Sequence, residues 1–129
     1  MLTYIPVTTK NYKQAINIQN KIFKEKCPDE IFSSCSNTKY SIYNYSQYWL
    51  IKEDNKTIGI TGLYSFPQYP EDVFMNWFGI LPTARNHGNG TKALIQTIKF
   101  AKEKNFKTFR LYTEIGDNDK AIKLYKKTN

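Results

Sequence analysis

A polar loop with two glycines, set between an apolar stretch and an amphipathic one, constrains the fold of this chain more than any other feature. The loop, Arg85–Gly90, follows a strand predicted over Val73–Ile80 and precedes a helix predicted over Thr91–Lys104 from its helical spacing of apolar residues. A second strand is predicted over Phe109–Ile115. Because strand–helix–strand connections almost always form right-handed crossovers, the segment predicts two parallel strands with a helix packed on their sheet.

The residues before this segment predict an antiparallel meander. The apolar runs Tyr48–Ile51 and Thr57–Leu63 flank the polar stretch Glu53–Lys56, which is typical of a hairpin turn. The strand Val73–Ile80 follows them after a short loop bracketed by prolines. Successive strands on short links pair with their neighbours, so all three are expected in one sheet.

Further elements are expected towards the two ends of the chain. Leu2–Val7 predicts an edge strand, and Thr8 or Thr9 is expected to cap a helix that ends near Pro28. Asp117 is expected to cap a last helix. The predicted fold class is α/β, with a mixed, largely antiparallel central sheet and flanking helices.

Composition narrows the class of protein. With 129 residues and 40% hydrophobic content, the chain is expected to fold as a single domain over residues 1–129. Cys27 and Cys35 are interpreted as reduced thiols and no metal site is predicted, since the only histidine, His87, is distant in sequence. Neither a signal peptide nor an apolar run of about 20 residues is visible, which predicts a cytoplasmic protein with no membrane partner.

The net charge of +8 raises the question of nucleic-acid binding. Of the 19 basic residues only Arg85 and Arg110 are arginines, and the lysines are scattered through every segment. Proteins that read nucleic acids favour arginine and concentrate their charge on one face, so no nucleic-acid partner is predicted. The excess of positive charge instead favours encounters with small polyanionic ligands.

The loop itself predicts a phosphate site, for which a simple surface turn is the structural alternative. A loop that leads into a helix offers free backbone N–H groups and the positive end of the helix dipole. Gly88 and Gly90 let a phosphate approach the backbone and are expected to take positive φ. Asn86 and Asn89 are the residues that tolerate such conformations next best.

Two other phosphate motifs fit this loop less well. Gly90-Thr91-Lys92 lacks the upstream glycine of a P-loop. Gly88-x-Gly90-x-x-Ala93 matches the dinucleotide fingerprint, with Glu114 about 20 residues further on, where a ribose-binding acid would lie. A dinucleotide glycine follows its strand almost directly, however, whereas residues 82–87 intervene here and too little chain follows to complete a doubly wound sheet.

The loop and a motif near the C-terminus share the spacing of one known family. Pro82, Arg85, Gly88 and Gly90 match a pattern of a strand ending near a proline, then Arg or Gln, two residues, Gly, one residue, and Gly or Ala. The later stretch Asn118-x-x-Ala121-x-x-Leu124-Tyr125 matches the last helix of the same family. The chain thus resembles the GNAT-superfamily N-acetyltransferases, which transfer an acetyl group from acetyl-CoA to an amine.

The resemblance implies acetyl-CoA as co-substrate and names the residues that hold it. The backbone of Phe78–Ile80 would pair with the pantetheine arm and hold the acetyl carbonyl, and Gly79 suits a bulge there. Loop N–H groups would hold the pyrophosphate, and Asn118 would contact the cofactor. The implied cofactor-binding residues are Phe78, Gly79, Ile80, Arg85, Asn86, His87, Gly88, Asn89, Gly90, Thr91 and Asn118.

The implied reaction is direct attack of a primary amine on the thioester, with backbone N–H groups stabilising the oxyanion. Tyr125 would protonate the leaving thiolate, because a phenol with a pKa of about 10 is protonated at neutral pH; a core tyrosine is the structural alternative.

For the base, Glu71 and Asp72 open the strand that leads to the cofactor, Asn76 lies within it, and Glu114 ends the neighbouring strand. Glu114 is the candidate by proximity, with a salt-bridged or solvated carboxylate as the structural alternative, unless ordered water removes the proton. The acceptor, a small-molecule or peptide amine, is left open, since residues 28–47 and 64–72, the expected walls of the acceptor site, carry no motif.

The alternative function is a non-catalytic acyl-CoA-binding or interaction module with the same fold. The family continues from the tyrosine helix into two more strands, whereas this chain ends four residues after Tyr125. The expected fold therefore lacks the last strands. An open sheet edge pairs readily with another chain, which predicts self-association as a homo-oligomer.

Overall fold

The fold is described from a computed structural model, which covers residues 1–23, 31, 43–85 and 87–111. The elements are, in chain order, β1 (Leu2–Pro6), α1 (Tyr12–Phe23), β2 (Tyr45–Glu53), β3 (Lys56–Ser65), β4 (Asp72–Ile80), a 3-10 turn (Pro82–Ala84), α2 (Asn89–Glu103) and β5 (Thr108–Leu111). The strands form one five-stranded sheet in the order β1-β2-β3-β4-β5. The predicted α/β class with a mixed, largely antiparallel sheet is confirmed.

Strand pairing follows from the length of the connections. β1, β2, β3 and β4 pair antiparallel in succession, and β5 pairs parallel to β4 after the crossover through α2. The β2–β3 hairpin turns at Asp54 and Asn55, whose φ angles of 48° and 69° are those of the tight turns that match strand twist. β2 begins at Tyr45, earlier than the predicted Tyr48, because Tyr45–Gln47 pair with the end of β3.

The two helices cover opposite faces of the sheet. Successive residues of β2 alternate between these faces, so Tyr48 and Leu50 pack towards α1 while Trp49 packs towards α2. Burial on both faces explains why this strand reads as a continuous apolar run. The core on the α1 face is Val7, Ala15, Ile18, Ile31, Tyr48, Leu50 and Ile60. The core on the α2 face is Trp49, Leu63, Val73, Leu94, Ile98, Ala101 and Phe109.

The start of α1 differs from the prediction. The Thr8 hydroxyl accepts a hydrogen bond from the Lys10 N–H at 3.2 Å, and the Thr8 N–H donates to Asn11 Oδ1 at 2.7 Å. Thr8 therefore closes a turn ahead of the helix, which begins only at Tyr12. The predicted end of this helix near Pro28 lies outside the described residues, and none of the described helices is long and apolar enough to cross a membrane.

A pair of buried threonines fixes α2 on the sheet. Thr97 Oγ1 donates its single proton to the Ala93 carbonyl at 2.8 Å, so the Thr61 hydroxyl is the donor of the 2.8 Å bond between the two threonines. Ala93, near the start of α2, packs in one cluster with Ile80 at the end of β4. The first turn of the helix is thereby held beside the end of that strand.

Candidate active site

β4 carries a bulge at Trp77. Asn76 and Gly79 are three residues apart on β4, yet they pair with Gly62 and Ile60, which are only two apart on β3. Trp77 takes a φ of 49°, a left-handed conformation that bulky residues rarely adopt and that bulges use to bend a strand. The sequence interpretation placed the bulge at Gly79, two residues later.

Gly79 serves the packing of α1 on this strand. A Cβ at this position would lie 2.7 Å from Ile22 and 2.9 Å from the ring of Phe23, so the end of α1 lies directly on the strand backbone. The Phe23 ring also meets the ring of Trp77 edge-on, with centroids 5.0 Å apart. The last turn of α1 therefore supports the bulged part of β4 from one face.

The loop after β4 is shaped by Gly88 and Asn89. Gly88 is the residue before α2 and takes a φ of 77°, as predicted. The Asn89 side chain is only 2% exposed and donates to the Ala84 carbonyl at 3.1 Å, which closes the base of the loop. Gly90 is helical; the expected positive φ at this position is wrong, because Gly88 is the only glycine of the described part with one.

The start of α2 presents unused backbone donors. In the described part of the chain no backbone acceptor lies opposite the N–H groups of Gly88–Thr91, and no side chain caps the helix. Among the described residues, a Cβ at Gly88 or at Gly90 would meet nothing within 4 Å, so a ligand can approach the backbone at both glycines. This arrangement, with no acidic residue in the first turn, suits a bound anion such as a pyrophosphate.

Arg85 contributes differently from its neighbours. Its N–H donates to the Pro82 carbonyl at 3.3 Å within the 3-10 turn, so this group is already used. Its side-chain Nε donates to the Ile80 carbonyl at 2.9 Å, which holds the guanidinium at the end of β4. The two terminal nitrogens of the guanidinium then remain to pair with an anion. His87 and Thr91 are exposed at the same loop.

Two carboxylates open β4, and both are ion-paired. Glu71 lies 3.1 Å from the Lys107 ammonium, and Asp72 lies 3.0 Å from Arg110 Nε. The candidate residues Glu114, Asn118 and Tyr125, like Asn86, lie outside the described residues. Within the described ranges, no group of three or more His, Cys, Asp or Glu side chains is placed to hold a metal ion.

A cavity lies beside the bulge, and part of its lining belongs to residues 64–72, which were expected from the sequence to form an acceptor wall, although no cavity was predicted. Its volume is about 590 Å³, and it is lined by Tyr64, Phe66, Tyr69, Phe74, Met75 and Asn76. Asn76 Nδ2 donates to the Tyr48 hydroxyl at 2.8 Å, and Gly62 makes room for this contact, because a Cβ there would lie 2.5 Å from the Tyr48 ring. The sequence signal for this cavity was the alternation of aromatic residues on β3 and β4. Which of these rings come into contact depends on the register between the two strands.

The fold and the loop together identify the class of the protein. A mixed sheet whose fourth strand leads through an anion-receptive loop into a helix is the N-acetyltransferase arrangement that the motifs indicated. The chain belongs to the GNAT family of acetyltransferases, since the family model described as Acetyltransferase (GNAT) family matches residues 12–129. The predicted resemblance to this family is confirmed.

Individual relatives agree with this assignment. A curated relative, the probable N-acetyltransferase camello of Xenopus laevis, is 27% identical over 103 residues, which cover 80% of this chain and 46% of the relative. The chain thus spans about half the length of that relative. Among solved structures, the ribosomal-protein-S18-alanine N-acetyltransferase of Escherichia coli has a TM-score of 0.73 at 15% identity, covering 100% of this chain and 77% of the other.

A third relative was solved with a ligand. The PaiA N-acetyltransferase of Thermoplasma acidophilum, in complex with coenzyme A, has a TM-score of 0.67 at 16% identity, covering 100% of this chain and 89% of the other. At such identities the structural likeness shows the fold alone.

Proposed function

We propose that this chain, acting as a single domain over residues 1–129, transfers an acetyl group from acetyl-CoA to a primary amine by direct attack. The observation that carries the proposal is the uncapped start of α2. The backbone N–H groups of Gly88–Thr91 have no acceptor in the described part of the chain, the space at Gly88 and Gly90 is open, and the Arg85 guanidinium lies at the same end. A pyrophosphate bound there would satisfy these donors and interact favourably with the helix dipole.

The strand before the loop supplies the second part of the site. A bulge takes backbone groups out of the strand ladder, and the backbone N–H of Phe78, which directly follows the bulge, is the donor that we assign to the thioester oxygen. The Phe78–Ile80 backbone would pair with the pantetheine arm, so that the cofactor lies along β4 from the bulge to the loop. Holding both reactants along one strand lowers the barrier chiefly through proximity and orientation.

Two residues that the motif names, Tyr125 and Asn118, and one chosen by proximity, Glu114, complete the proposed mechanism. Tyr125 donates a proton to the CoA thiolate as the carbon–sulfur bond breaks, Asn118 contacts the cofactor, and Glu114 takes the proton that the amine loses. Acetyl-CoA supplies the activated acyl group for this step. The acceptor class is a small-molecule or peptide amine.

The proposal is tested by replacing Tyr125 with phenylalanine. Tyr125→Phe keeps the ring and removes only the acid, so turnover of acetyl-CoA with a panel of primary amines should fall about 100-fold or more. The Kd for acetyl-CoA should stay unchanged in calorimetry. Tyr4→Phe, which removes a hydroxyl from the edge strand β1, is the matched control and should leave turnover unchanged.

Two results would contradict this assignment. If Tyr125→Phe lowers the melting temperature but not turnover, the hydroxyl is structural. If the wild-type chain binds acetyl-CoA but no amine in the panel leads to release of CoA, the non-catalytic binding module is the better description.

A further inference from the structure

The cavity beside the bulge, here named the aromatic cavity, lies where an acceptor amine has to approach. Its Asn76 immediately precedes the bulge at Trp77 on β4. At about 3.3 Å per residue, Asn76 is roughly 7 Å along the strand from Phe78, where the proposed carbonyl site begins. The end of α1 covers the strand at Trp77 and Gly79, so the cavity is the adjoining part of the same face that α1 leaves open.

The walls of the aromatic cavity are rings that hold one another in place. Tyr64 and Phe74 pair across β3 and β4 and stack with centroids 5.2 Å apart. Phe66 meets both of them edge-on, at 5.4 Å and 5.8 Å. Such mutual packing gives rings a fixed geometry, so the cavity presents a preformed aromatic wall to a ligand.

Tyr69 forms an exposed wall on a fixed backbone. Its side chain is 62% exposed, whereas its N–H donates to the Phe66 carbonyl at 3.0 Å and its carbonyl accepts from the Asp72 N–H at 3.1 Å. The side chain can therefore be removed without breaking the turns that shape the loop. This makes Tyr69 the residue through which the cavity can be tested.

The charge around the cavity limits the number of positive charges that an acceptor can carry. The carboxylates of Glu71 and Asp72, which follow Tyr69 in the chain, are paired with Lys107 and Arg110, and the chain carries a net charge of +8. An aromatic wall attracts one ammonium group through the ring faces and buries an apolar body favourably. Each additional ammonium would lose water against the rings without gaining a carboxylate from those lining residues that the structure describes.

We infer that the aromatic cavity binds the acceptor and selects a primary monoamine carried on an aromatic or other apolar body, in preference to a polycationic amine. This inference rests on the proposed acetyl transfer. In the step, the amine nitrogen forms a bond to the acetyl carbon, the carbon–sulfur bond breaks, and CoA leaves as the thiol while the nitrogen loses one proton.

The test compares 2-phenylethylamine with spermidine at saturating acetyl-CoA. The value of kcat/KM should be at least about tenfold higher for 2-phenylethylamine. Tyr69→Ala should lower this value about fivefold or more through KM, with the Kd for acetyl-CoA unchanged. The matched control is Ile5→Ala, which removes another exposed apolar side chain, 38% exposed, from β1 at the far edge of the sheet and should change neither constant.

The contrary results are also specific. A preference for spermidine, or an unchanged KM for 2-phenylethylamine in Tyr69→Ala, would overturn the inference even if acetyl transfer occurs. If CoA is released with neither amine, the proposed function fails. The cavity is then tested by ligand-observed NMR with 2-phenylethylamine. Binding to the wild-type chain that Tyr69→Ala weakens would support the aromatic cavity as an amine site, and equal or absent binding would overturn it.

Discussion

Two tyrosines on β2 show how much the surroundings of one hydroxyl group matter. The Tyr45 hydroxyl is buried and has no hydrogen-bond partner among the described residues, and burial raises the pKa of Tyr45 to about 12. The Tyr48 hydroxyl, three residues further on, accepts the 2.8 Å hydrogen bond from Asn76 that holds this amide at the aromatic cavity. Replacing tyrosine with phenylalanine should therefore change the free energy of unfolding differently at the two positions.

We expect Tyr45→Phe to leave the free energy of unfolding unchanged or to raise it by up to about 1 kcal/mol, because it removes an unsatisfied polar group. Tyr48→Phe should lower it by about 1–2 kcal/mol, since the hydrogen bond from Asn76 Nδ2 to the Tyr48 hydroxyl is lost. Urea denaturation at pH 7 measures both. A larger loss for Tyr45→Phe than for Tyr48→Phe would contradict this account.

Tyr45 also predicts how the stability of the fold depends on pH. The folded-state pKa of Tyr45 lies above its ordinary value, so the unfolded chain ionises this phenol at a lower pH than the folded chain does. The free energy of unfolding is therefore unaffected by Tyr45 below pH 10 and falls as pH rises towards about 12. Repeating the denaturation at pH 11 should show a smaller alkaline loss in Tyr45→Phe than in the wild type.

At the scale of elements, the position of α2 depends on the hydroxyls of Thr61 and Thr97. Thr97→Val removes the acceptor of the buried Thr61 hydroxyl and should destabilise the fold by about 1–3 kcal/mol. Thr61→Val should cost less, because the Thr97 hydroxyl still donates to the Ala93 carbonyl. The double variant should be more stable than the sum of the single losses predicts, as urea denaturation of all four proteins would measure. Additive losses would mean that the two hydroxyls do not interact.

For the whole molecule, the sequence predicted the local features well. The order of the described strands and helices, the parallel crossover and the positive φ at Gly88 were all predicted, because each depends on neighbouring residues. The position of the bulge at Trp77 and the aromatic cavity depend on the register between β3 and β4, which side-chain periodicity does not specify. The roles of Glu114, Asn118 and Tyr125, and self-association of the chain, stay predictions.

The central claim is that the start of α2 holds acetyl-CoA, and the most direct measurement is calorimetric titration of acetyl-CoA into variants of Gly90. This residue is helical and faces open space, so neither alanine nor valine should lower the melting temperature, given that both are better helix formers than glycine. Gly90→Ala is the matched control, because the family pattern admits alanine there, and its Kd should stay within a few-fold of the wild type.

Gly90→Val places a branched side chain in front of the donors, since Cβ atoms of a helix point towards its N-terminus. The account predicts that its affinity for acetyl-CoA falls tenfold or more while its melting temperature matches that of Gly90→Ala. Equal affinities for acetyl-CoA in the wild type, Gly90→Ala and Gly90→Val would contradict the assignment of this loop as the pyrophosphate site.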